Sequence, residues 1–384
     1  MKTQRTRAGE MYDVLVVGAG PAGLTVAAGL ARHGVSCLVV ERGEHPPAGA
    51  HCLVVQAASA AALTTVGVDV AAIPSSAPLR RRVFHVSRHT ETRPLSAPSL
   101  VVGHDGMTQL LSAAALRYGA AVETGADVVG VHQVGGLHGD GHVQVRVHSR
   151  DHPTLGDSNG AHSTEPRSGR ADIRRARWVV VCTGTDDTLT RAMGLDWMPS
   201  HPRPVRWLGV NAVVTGVPGL GPEEEHIFHG PHANLGLLPL PTGGHRLFSV
   251  AADQARPPRD AGEFEAFVRR ITGLPATLSE VGDLWRTRPG SGRAPAARRG
   301  RVLTLGAARR RLPLPVQCLN AAIEEAVHLA DELAGVVHGR RPHHALEAHA
   351  VRHGRAAERL ISEAWRMVDY ATTPDPEQWL AKPR

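Results

Sequence analysis

Three glycines and one acid near the start of the chain have the types and spacing to bind a nucleotide. Gly18, Gly20 and Gly23 follow an apolar run at 12–17, and Glu41 ends a second apolar run, 18 residues after Gly23. A strand, a glycine turn and a helix in this order bind a dinucleotide pyrophosphate at the helix N-terminus. An acid at the Glu41 position accepts hydrogen bonds from both ribose hydroxyls and disfavours a 2′-phosphate. The pattern predicts an FAD or NAD site rather than an NADP site.

The composition is typical of an α/β protein. The 384 residues are 42% hydrophobic and 4% aromatic, enough to form two packed regions. No apolar run reaches membrane-spanning length, and residues 1–10 have the pattern of neither a signal peptide nor a membrane anchor. We therefore expect a cytoplasmic protein without a membrane partner. Free, mostly buried thiols are expected for the scattered cysteines, which are Cys37, Cys52, Cys182 and Cys318.

The net charge of +7 raises the question of a nucleic-acid partner. Lysine occurs only at Lys2 and Lys382, and every other basic residue is an arginine, a bias typical of GC-rich genomes. The arginines are dispersed and lack the interleaved aromatic residues of a nucleic-acid surface. We expect a small-molecule substrate and no nucleic-acid partner.

The elements that must position the glycine turn alternate between strands and helices. After residue 41 we expect a loop and helix at 48–66, a strand at 83–86 within a Pro/Arg-rich stretch, and a helix at 107–118. Short strands then lead to 178–182, interrupted by an extended hairpin loop at 149–170. A separate sheet is predicted for 201–285, with strands at 206–214 and 245–252 and a helix at 262–274. The chain then returns to a buried strand at 301–306 and helices at 319–333 and 345–370.

This order of elements resembles the class A flavoprotein monooxygenases of the para-hydroxybenzoate hydroxylase type, from about residue 12 to 367. The motifs that carry the resemblance are GAGPAGL at 18–24 with Glu41 and Arg42, the strand, loop and helix at 305–330, and the interposed sheet. The resemblance implies FAD as cofactor, NAD(P)H as reductant and hydroxylation of an aromatic or polyketide-type substrate. The cofactor contacts that the motifs imply are Gly18, Gly20, Gly23, Glu41, Arg42, Gly184, Gly306 and Pro313.

The family architecture also implies how the chain is divided. We expect an α/β fold in which a discontinuous, Rossmann-like FAD domain comprises 11–73, 100–195 and 286–340. An antiparallel-sheet substrate domain would comprise 74–99 and 196–285, and 341–384 would form a C-terminal helical segment. In such a fold the middle sheet covers the substrate, while the cofactor carries the redox chemistry.

Several family motifs are altered on the flavin side. Thr183 stands where relatives have the Asp of G-A-D-G, and His104 stands where an arginine usually opens the next helix. After Gly306 the simplest alignment deletes the Asp that holds the ribityl chain, and Val316 and Cys318 replace glycines. Two hypotheses follow. The chain is a monooxygenase with weakened flavin binding, or a relative that has lost flavin use and acts as a non-redox cyclase, isomerase or dehydratase, or as a silent partner of another oxygenase.

Candidate substrate contacts lie in the middle sheet. Trp207 and Asn211 alternate onto one face of the predicted strand at 206–214, and Asn211 is either a substrate contact or an edge amide that faces water. His229 and Asn234 are further pocket candidates close to the next strand. No catalytic residue can be assigned from the sequence.

Two histidine patterns invite a metal interpretation. His226, His229 and His232 recur every third residue, but the break at Gly230–Pro231 favours a solvated loop over a metal site. For His349 and His353, an i,i+4 pair in a helix that also carries arginines, we expect an exposed face.

Overall fold

The chain folds around two large β-sheets. The computed structural model describes residues 10–44, 52–137, 139–149, 172–195, 198–199, 204–288, 290–294, 296–313 and 315–379. The hairpin loop predicted at 149–170 lies, apart from its first residue, outside this range. The strands, in chain order, are β1 (Met11–Val17), β2 (Cys37–Glu41), β3 (Cys52–Val55), β4 (Ala77–Val86), β5 (His89–Gly103), β6 (Ala121–Thr124), β7 (Ala126–Val134), β8 (His142–Ser149), β9 (Asp172–Val181), β10 (Met198–Pro199), β11 (Val205–Thr215), β12 (Glu224–Gly230), β13 (Ala233–Pro239), β14 (His245–Ala252), β15 (Thr277–Ser279), β16 (Trp285–Thr287), β17 (Gly292–Arg293), β18 (Arg298–Arg299), β19 (Val302–Thr304) and β20 (Arg310–Arg311).

The helices connect and cover these sheets. They are α1 (Pro21–Arg32), α2 (Ala57–Thr65), α3 (His104–Arg117), α4 (Thr188–Ala192), α5 (Ala261–Thr272), α6 (Pro315–Val337) and α7 (Ala345–Ala371). Helix α5 shows how the local sequence determines where a helix begins and ends. Asp260 accepts a hydrogen bond from Glu263 N at its N-cap, and Gly273 adopts a φ of 68° at its C-cap.

The first sheet has the strand order β18-β19-β9-β1-β2-β6, in which β19, β9, β1, β2 and β6 run parallel. Its strands are continuous valine and leucine runs, as expected for strands covered on both faces. Helices α1, α3 and α6 cover one face, and the antiparallel strands β7 and β8 cover the other. The loops that follow β1, β2, β9 and β19 meet at its carboxyl edge, where open α/β sheets bind ligands.

The second sheet has the order β15-β11-β14-β13-β12-β4-β5-β3, with β16 also paired to β11. One face packs on α5 through Phe264, Phe267 and Val268. The opposite face meets the C-terminal half of α7 through Trp365 and Val368. Because Leu346, near the other end of α7, lies in the core of the first sheet, this helix spans both sheets.

Most predicted elements match the structure, and the differences have local causes. The strand expected at 83–86 is longer in the structure and forms a hairpin with β5. The pairing register shifts at a bulge between Leu79 and Arg81, opposite the stretch of β5 that contains its prolines, so pairing continues on both sides of the bulge. Residues 52–55 and 100–103, which were both expected in the FAD domain, pair with each other in the second sheet. The division into domains stays a prediction. No helix in the described part of the chain is long and apolar enough to cross a membrane.

The four cysteines are free thiols. Cys37 and Cys182 are buried, whereas Cys52 and Cys318 are partly exposed. Burial raises the pKa of Cys37 to about 12, so this thiol is not a nucleophile at neutral pH.

Candidate functional site

The three glycines after β1 have three different steric roles. A β-carbon at Gly18, where φ is 104°, would lie 2.5 Å from Cys182 O, and one at Gly23 would lie 2.1 Å from Gly18 O. These two positions therefore exclude any side chain, because the turn packs directly on the strand-end of β9 and on α1. Gly20 differs, since a β-carbon there would meet no atom within 4 Å. The turn thus leaves open space at the start of α1, where a phosphate binds in dinucleotide folds.

Glu41 ends β2 beside this turn. Its Oε2 accepts a hydrogen bond from Ala19 N at 2.6 Å, and its Oε1 accepts one from Gly43 N at 2.8 Å. Each carboxylate oxygen keeps a second acceptor site, so the pair can still receive two ribose hydroxyls. The structure therefore brings Gly18, Gly20, Gly23 and Glu41 together as the sequence predicts.

The turn after β9 lies next to the glycine turn. Gly184 has a φ of 65°, with open space around its α-carbon. Asp186 accepts hydrogen bonds from Thr188 N at 3.0 Å and from Arg42 Nη1 at 2.8 Å. The pKa of Asp186 is lowered, first by the Thr188 backbone N–H and further by Arg42. Arg42 therefore links the end of β2 to the turn after β9, although β1 lies between these two strands in the sheet.

The turn after β19 contains no acid between Gly306 and Pro313. Gly306 has a φ of 63°, and a β-carbon there would lie 3.5 Å from the side chains of Ala22 and Ala322. The turn is thus packed between α1 and α6. Pro313, at its far end, is buried. The family resemblance implies a carboxylate in this turn, and this chain has arginines there.

Two of those arginines form a buried ion triad that the sequence analysis missed. Arg309 and Arg310 each donate to one carboxylate oxygen of Glu325 on α6, whose exposure is 0%. They also donate to backbone oxygens, Arg309 to Ala350 O at 2.7 Å and Arg310 to Ala321 O at 2.9 Å. Burial alone would raise the pKa of Glu325, but Arg310 and Arg309 together lower it. The triad fixes the arginine turn to α6 and α7.

The histidine pair of α7 lies beside this triad, which corrects the expectation of an exposed face. His349 is 2% exposed, and His353 is partly buried between His349 and His328, with ring centroids 4.4 and 5.3 Å away. Burial lowers the pKa of His349 to about 3 and that of His353 to about 4. The error arose because α7 packs this face on α6, and the neighbouring arginines made the face look solvated.

The loop expected for His226, His229 and His232 is also wrong for two of the three. His226 and His229 belong to β12, and His226 is buried, with its Nδ1 3.0 Å from His85 Nε2. His232 follows the strand, with a φ of 61°. Within the described residues, no group of three or more histidine, cysteine or acidic side chains is arranged to hold a metal ion.

The four candidate substrate residues share one face of the second sheet. The registers pair His229 with Asn234, and Val250 with Trp207, while Val250 N donates to Asn234 Oδ1 at 2.8 Å. Cross-strand partners point to the same side of a sheet, and Asn211 shares the Trp207 face by alternation. β11 pairs with β14 on one side and with β15 and β16 on the other, so it is not an edge strand, and the role of Asn211 stays a prediction. Burial lowers the pKa of His229 to about 4, so its ring is neutral at pH 7.

This face, which we call the aromatic face, is defined by Trp207, Phe248 and Trp285. The rings of Trp207 and Phe248 stack at 6.4 Å, and a β-carbon at Gly209 would lie 2.3 Å from Trp285. Glycine in β11 thus makes room for a large ring on the sheet surface. The Trp207 indole N–H is buried and has no hydrogen-bond partner among the described residues.

Arg246 lies in the same row as Asn211, and sequence reasoning missed it. Its guanidinium lies 5.3 Å from the Trp285 ring centre, and Nη1 is 3.9 Å from Cys52 Sγ on β3. Asn320 of α6 donates to Val54 O at 2.9 Å and accepts from Gln56 N at 2.8 Å. These contacts link β3 of the second sheet to Arg246 and to α6. Residue alternation in β14 was the available signal, since Arg246 and Phe248 both face the Asn211 side.

The donor set at the carboxyl edge fits FAD on its adenosine side. The open space at Gly20, the free N–H groups of α1 and the Glu41 carboxylate suit an ADP group. On the flavin side, Gly306 packs against Ala22 and Ala322, and Arg311 lies beside the turn after β9.

A family model described as an FAD binding domain matches residues 11–364. The chain belongs to this FAD-binding family. A relative, the rifampicin monooxygenase of Streptomyces venezuelae, is 27% identical over 96% of this chain and 73% of its own length. The chain spans only 60% and 58% of the length of two further curated relatives.

Two solved structures share the fold. The p-nitrophenol 4-monooxygenase of Pseudomonas putida matches with a TM-score of 0.78 and 18% identity, over 97% of this chain and 92% of that protein. An aklavinone-11 hydroxylase, solved with FAD and aklavinone, matches with a TM-score of 0.77 and 21% identity, over 96% of this chain and 70% of that one. The predicted α/β fold, with two large sheets and C-terminal helices, is therefore confirmed.

Proposed function

We propose that this chain is an FAD-dependent monooxygenase that hydroxylates an aromatic or polyketide-type small molecule, with NAD(P)H as reductant. Membership of the FAD-binding family supports the cofactor. The names of its relatives, rifampicin monooxygenase and aklavinone-11 hydroxylase among them, support the substrate class. A cytoplasmic location stays a prediction.

The observation that carries the proposal is the intact ADP-binding edge. Gly18 and Gly23 have no room for a side chain, Gly20 borders open space, and Glu41 adjoins the turn. A glycine-rich turn without a nucleotide would not need all four features at one strand end. The aromatic face gives the second requirement, an apolar surface for a ring system.

In this function the bound FAD supplies electron transfer from NAD(P)H and the activation of oxygen. The chain's own residues bind and orient. Backbone N–H groups at the start of α1 receive the pyrophosphate, and Glu41 receives the ribose hydroxyls. On the second sheet, the Trp207 and Phe248 rings would offer the apolar surface, and Trp365 of α7 packs in the same buried cluster.

Polar groups at the aromatic face would fix the orientation of the substrate. The Trp207 N–H is a buried donor that a substrate carbonyl or phenol oxygen can accept. Asn211 and Arg246, neighbours across β11 and β14, supply further donors. His229 is neutral near pH 7, because burial lowers its pKa, so it can accept a proton from a phenol.

Oxygen transfer tests the proposal directly. The purified protein is loaded with FAD and supplied with NADH or NADPH, isotopically labelled oxygen and a panel of phenols and polycyclic aromatic compounds. The expected result is substrate-dependent oxidation of the nicotinamide with one labelled oxygen atom in the product. Nicotinamide oxidation that yields only hydrogen peroxide with every compound would leave the monooxygenase proposal unsupported, and anaerobic turnover without flavin would overturn it.

The acid-free turn after Gly306 is the observation that favours a flavin-free enzyme or a silent partner subunit. The family comparison does not favour this alternative. A variant with Asp inserted between Gly306 and Ala307, combined with Cys318→Gly, separates the two. If the turn has lost flavin binding, the variant gains FAD affinity by about tenfold or more, the effect of a charge-assisted hydrogen bond. Unchanged, already tight binding supports the monooxygenase.

A further inference from the structure

We propose that a groove along one side of α5 binds an aromatic small molecule that carries an acidic group. The groove has a volume of about 630 Å³ and is lined by residues 256–259 of the preceding loop and by α5 itself. This volume is in the range of sites that bind small molecules. The groove is separate from the cofactor edge and from the aromatic face, so the inference does not depend on the proposed function.

The second sheet lies between this groove and the aromatic face. Phe267 of α5 packs on one face of the sheet, whereas Trp207 packs with residues of α7 on the other. Arg286 of β16 pairs with Leu208, which belongs to the core under α5, so Arg286 also points to the α5 side. A ligand in the groove therefore contacts residues that the aromatic face does not use.

The floor of the groove is apolar. Pro257, Pro258, Ala266 and Phe267 line it, and Phe267 is 3% exposed. The guanidinium of Arg270 lies 5.3 Å from the centre of the Phe267 ring. Because a guanidinium plane stacks well on aromatic rings, a flat ring placed on this floor would lie beside a matching surface.

The border of the groove is rich in arginine. Arg256, Arg259 and Arg270 line it, and Arg286 donates from Nη1 to Pro258 O at 3.5 Å. Only Arg259 of these four has an acidic partner among the described residues, Glu263 at 2.7 Å. The groove thus keeps an excess of positive charge, which favours an anionic ligand.

Arg256 has an unusual backbone conformation at this border. Its φ of 49° and ψ of 73° are left-handed, which is unfavourable for a residue with a β-carbon. Pro257 follows it and disfavours the right-handed helical region at position 256. Among the described residues, the Arg256 side chain has neither a hydrogen bond nor an ion pair. The chain therefore keeps an arginine where glycine would fit more easily, and its side chain is free for a ligand.

The test uses naphthalene-2-carboxylate as the probe and the uncharged naphthalene-2-carboxamide as its control. Dissociation constants are measured by calorimetry on the full chain at low and high salt. The carboxylate should bind about tenfold more tightly than the carboxamide, and high salt should weaken only the carboxylate. This comparison isolates the contribution of the acidic group.

Variants then locate the bound probe. Ala266 is exposed on α5, so Ala266→Glu and Ala266→Lys place opposite charges in the groove with residues that favour a helix. Ala266→Glu should weaken carboxylate binding by about tenfold, and Ala266→Lys should not weaken it. Arg256→Gly should also weaken it by about tenfold with no decrease in the thermal unfolding midpoint, because glycine suits the left-handed backbone.

Two controls lie outside the groove. Arg355 is an exposed arginine of α7 that likewise has no ion pair among the described residues, so Arg355→Gln should leave carboxylate binding unchanged. Trp207→Phe alters the aromatic face and should leave it unchanged as well. A lower unfolding midpoint for Arg256→Gly would transfer its test to Arg270→Gln, for which the same loss of affinity is expected.

Four results would overturn the inference. The first is equal carboxylate affinity in the wild type, Ala266→Glu and the arginine variant. The second is equal affinity for the carboxylate and the carboxamide. The third is a loss of binding in Trp207→Phe alone, which would place the probe on the aromatic face. The fourth is a hexaglutamate peptide that binds in an Ala266→Glu-sensitive manner while the naphthalene carboxylate does not bind, which would assign the groove to an acidic protein partner.

Discussion

Replacing Glu325 with Gln should destabilise the fold far more than an ordinary loss of one charge. Glu325 is fully buried, and Arg309 and Arg310, which both donate to it, are 6% and 3% exposed. Without the carboxylate, two guanidinium groups stay buried beside a neutral amide, in which an NH2 group replaces one of the two acceptor oxygens. Breaking a buried pair from one side costs about 3–5 kcal/mol, and the remaining amide acceptor places this change at about 3 kcal/mol.

The assay is urea unfolding followed by tryptophan fluorescence and far-UV circular dichroism, with coincident curves as the criterion for a single transition. Asp331→Asn is the control on the same helix, because Asp331 is 55% exposed and pairs with Arg341 at 2.8 Å. It should cost less than about 1 kcal/mol. Replacing Arg309, Arg310 and Glu325 together by apolar residues should cost less than Glu325→Gln alone. If Glu325→Gln unfolds at the same urea concentration as Asp331→Asn, the argument from buried charge is refuted.

Three further changes test other parts of the molecule. Glu41→Ala should weaken FAD and ADP binding by about tenfold in calorimetry, since hydrogen bonds to a charged group are lost, and unchanged binding would remove Glu41 from the site. Trp207→Phe should alter turnover with only a small change in the unfolding midpoint, and a ligand-bound structure with substrate outside the aromatic face would contradict its role. Stability should fall as pH drops below about 6.5, because His349 stays neutral in the fold, where its pKa is about 3, while the unfolded chain takes up a proton. His349→Leu should reduce this slope in urea titrations at about pH 7 and about pH 5, and an identical slope would show that His349 is not responsible.

The nucleotide edge could be predicted from the sequence because its features are local. Gly18, Gly20 and Gly23 lie within six residues, and a strand on each side fixes where they and Glu41 must meet. The aromatic face was partly predictable for the same reason, since alternation along β11 places Trp207 and Asn211 on one side. Contact of these residues with cofactor or substrate stays a prediction.

The buried polar clusters could not be predicted, because their partners are distant in sequence or on other elements. Glu325 follows Arg309 by 16 residues. It becomes the partner of Arg309 and Arg310 only when α6 packs against the turn that carries them. His349 looked exposed because a helix face rich in arginine is usually solvated. Arg246 joins the aromatic face through the pairing of β14 with β11, which requires the register of the second sheet. Sequence patterns indicate which face a residue shares, but not what covers that face.

The central claim is that the carboxyl edge of the first sheet binds FAD despite the altered turn after Gly306. Equilibrium dialysis of the purified chain against FAD, with ADP as competitor, measures this directly. The account predicts one FAD per chain, displaced by ADP and weakened in a Gly20→Val variant that fills the open space beside α1. A folded wild-type chain that retains no FAD, or that binds it equally well with Val at position 20, would contradict the account.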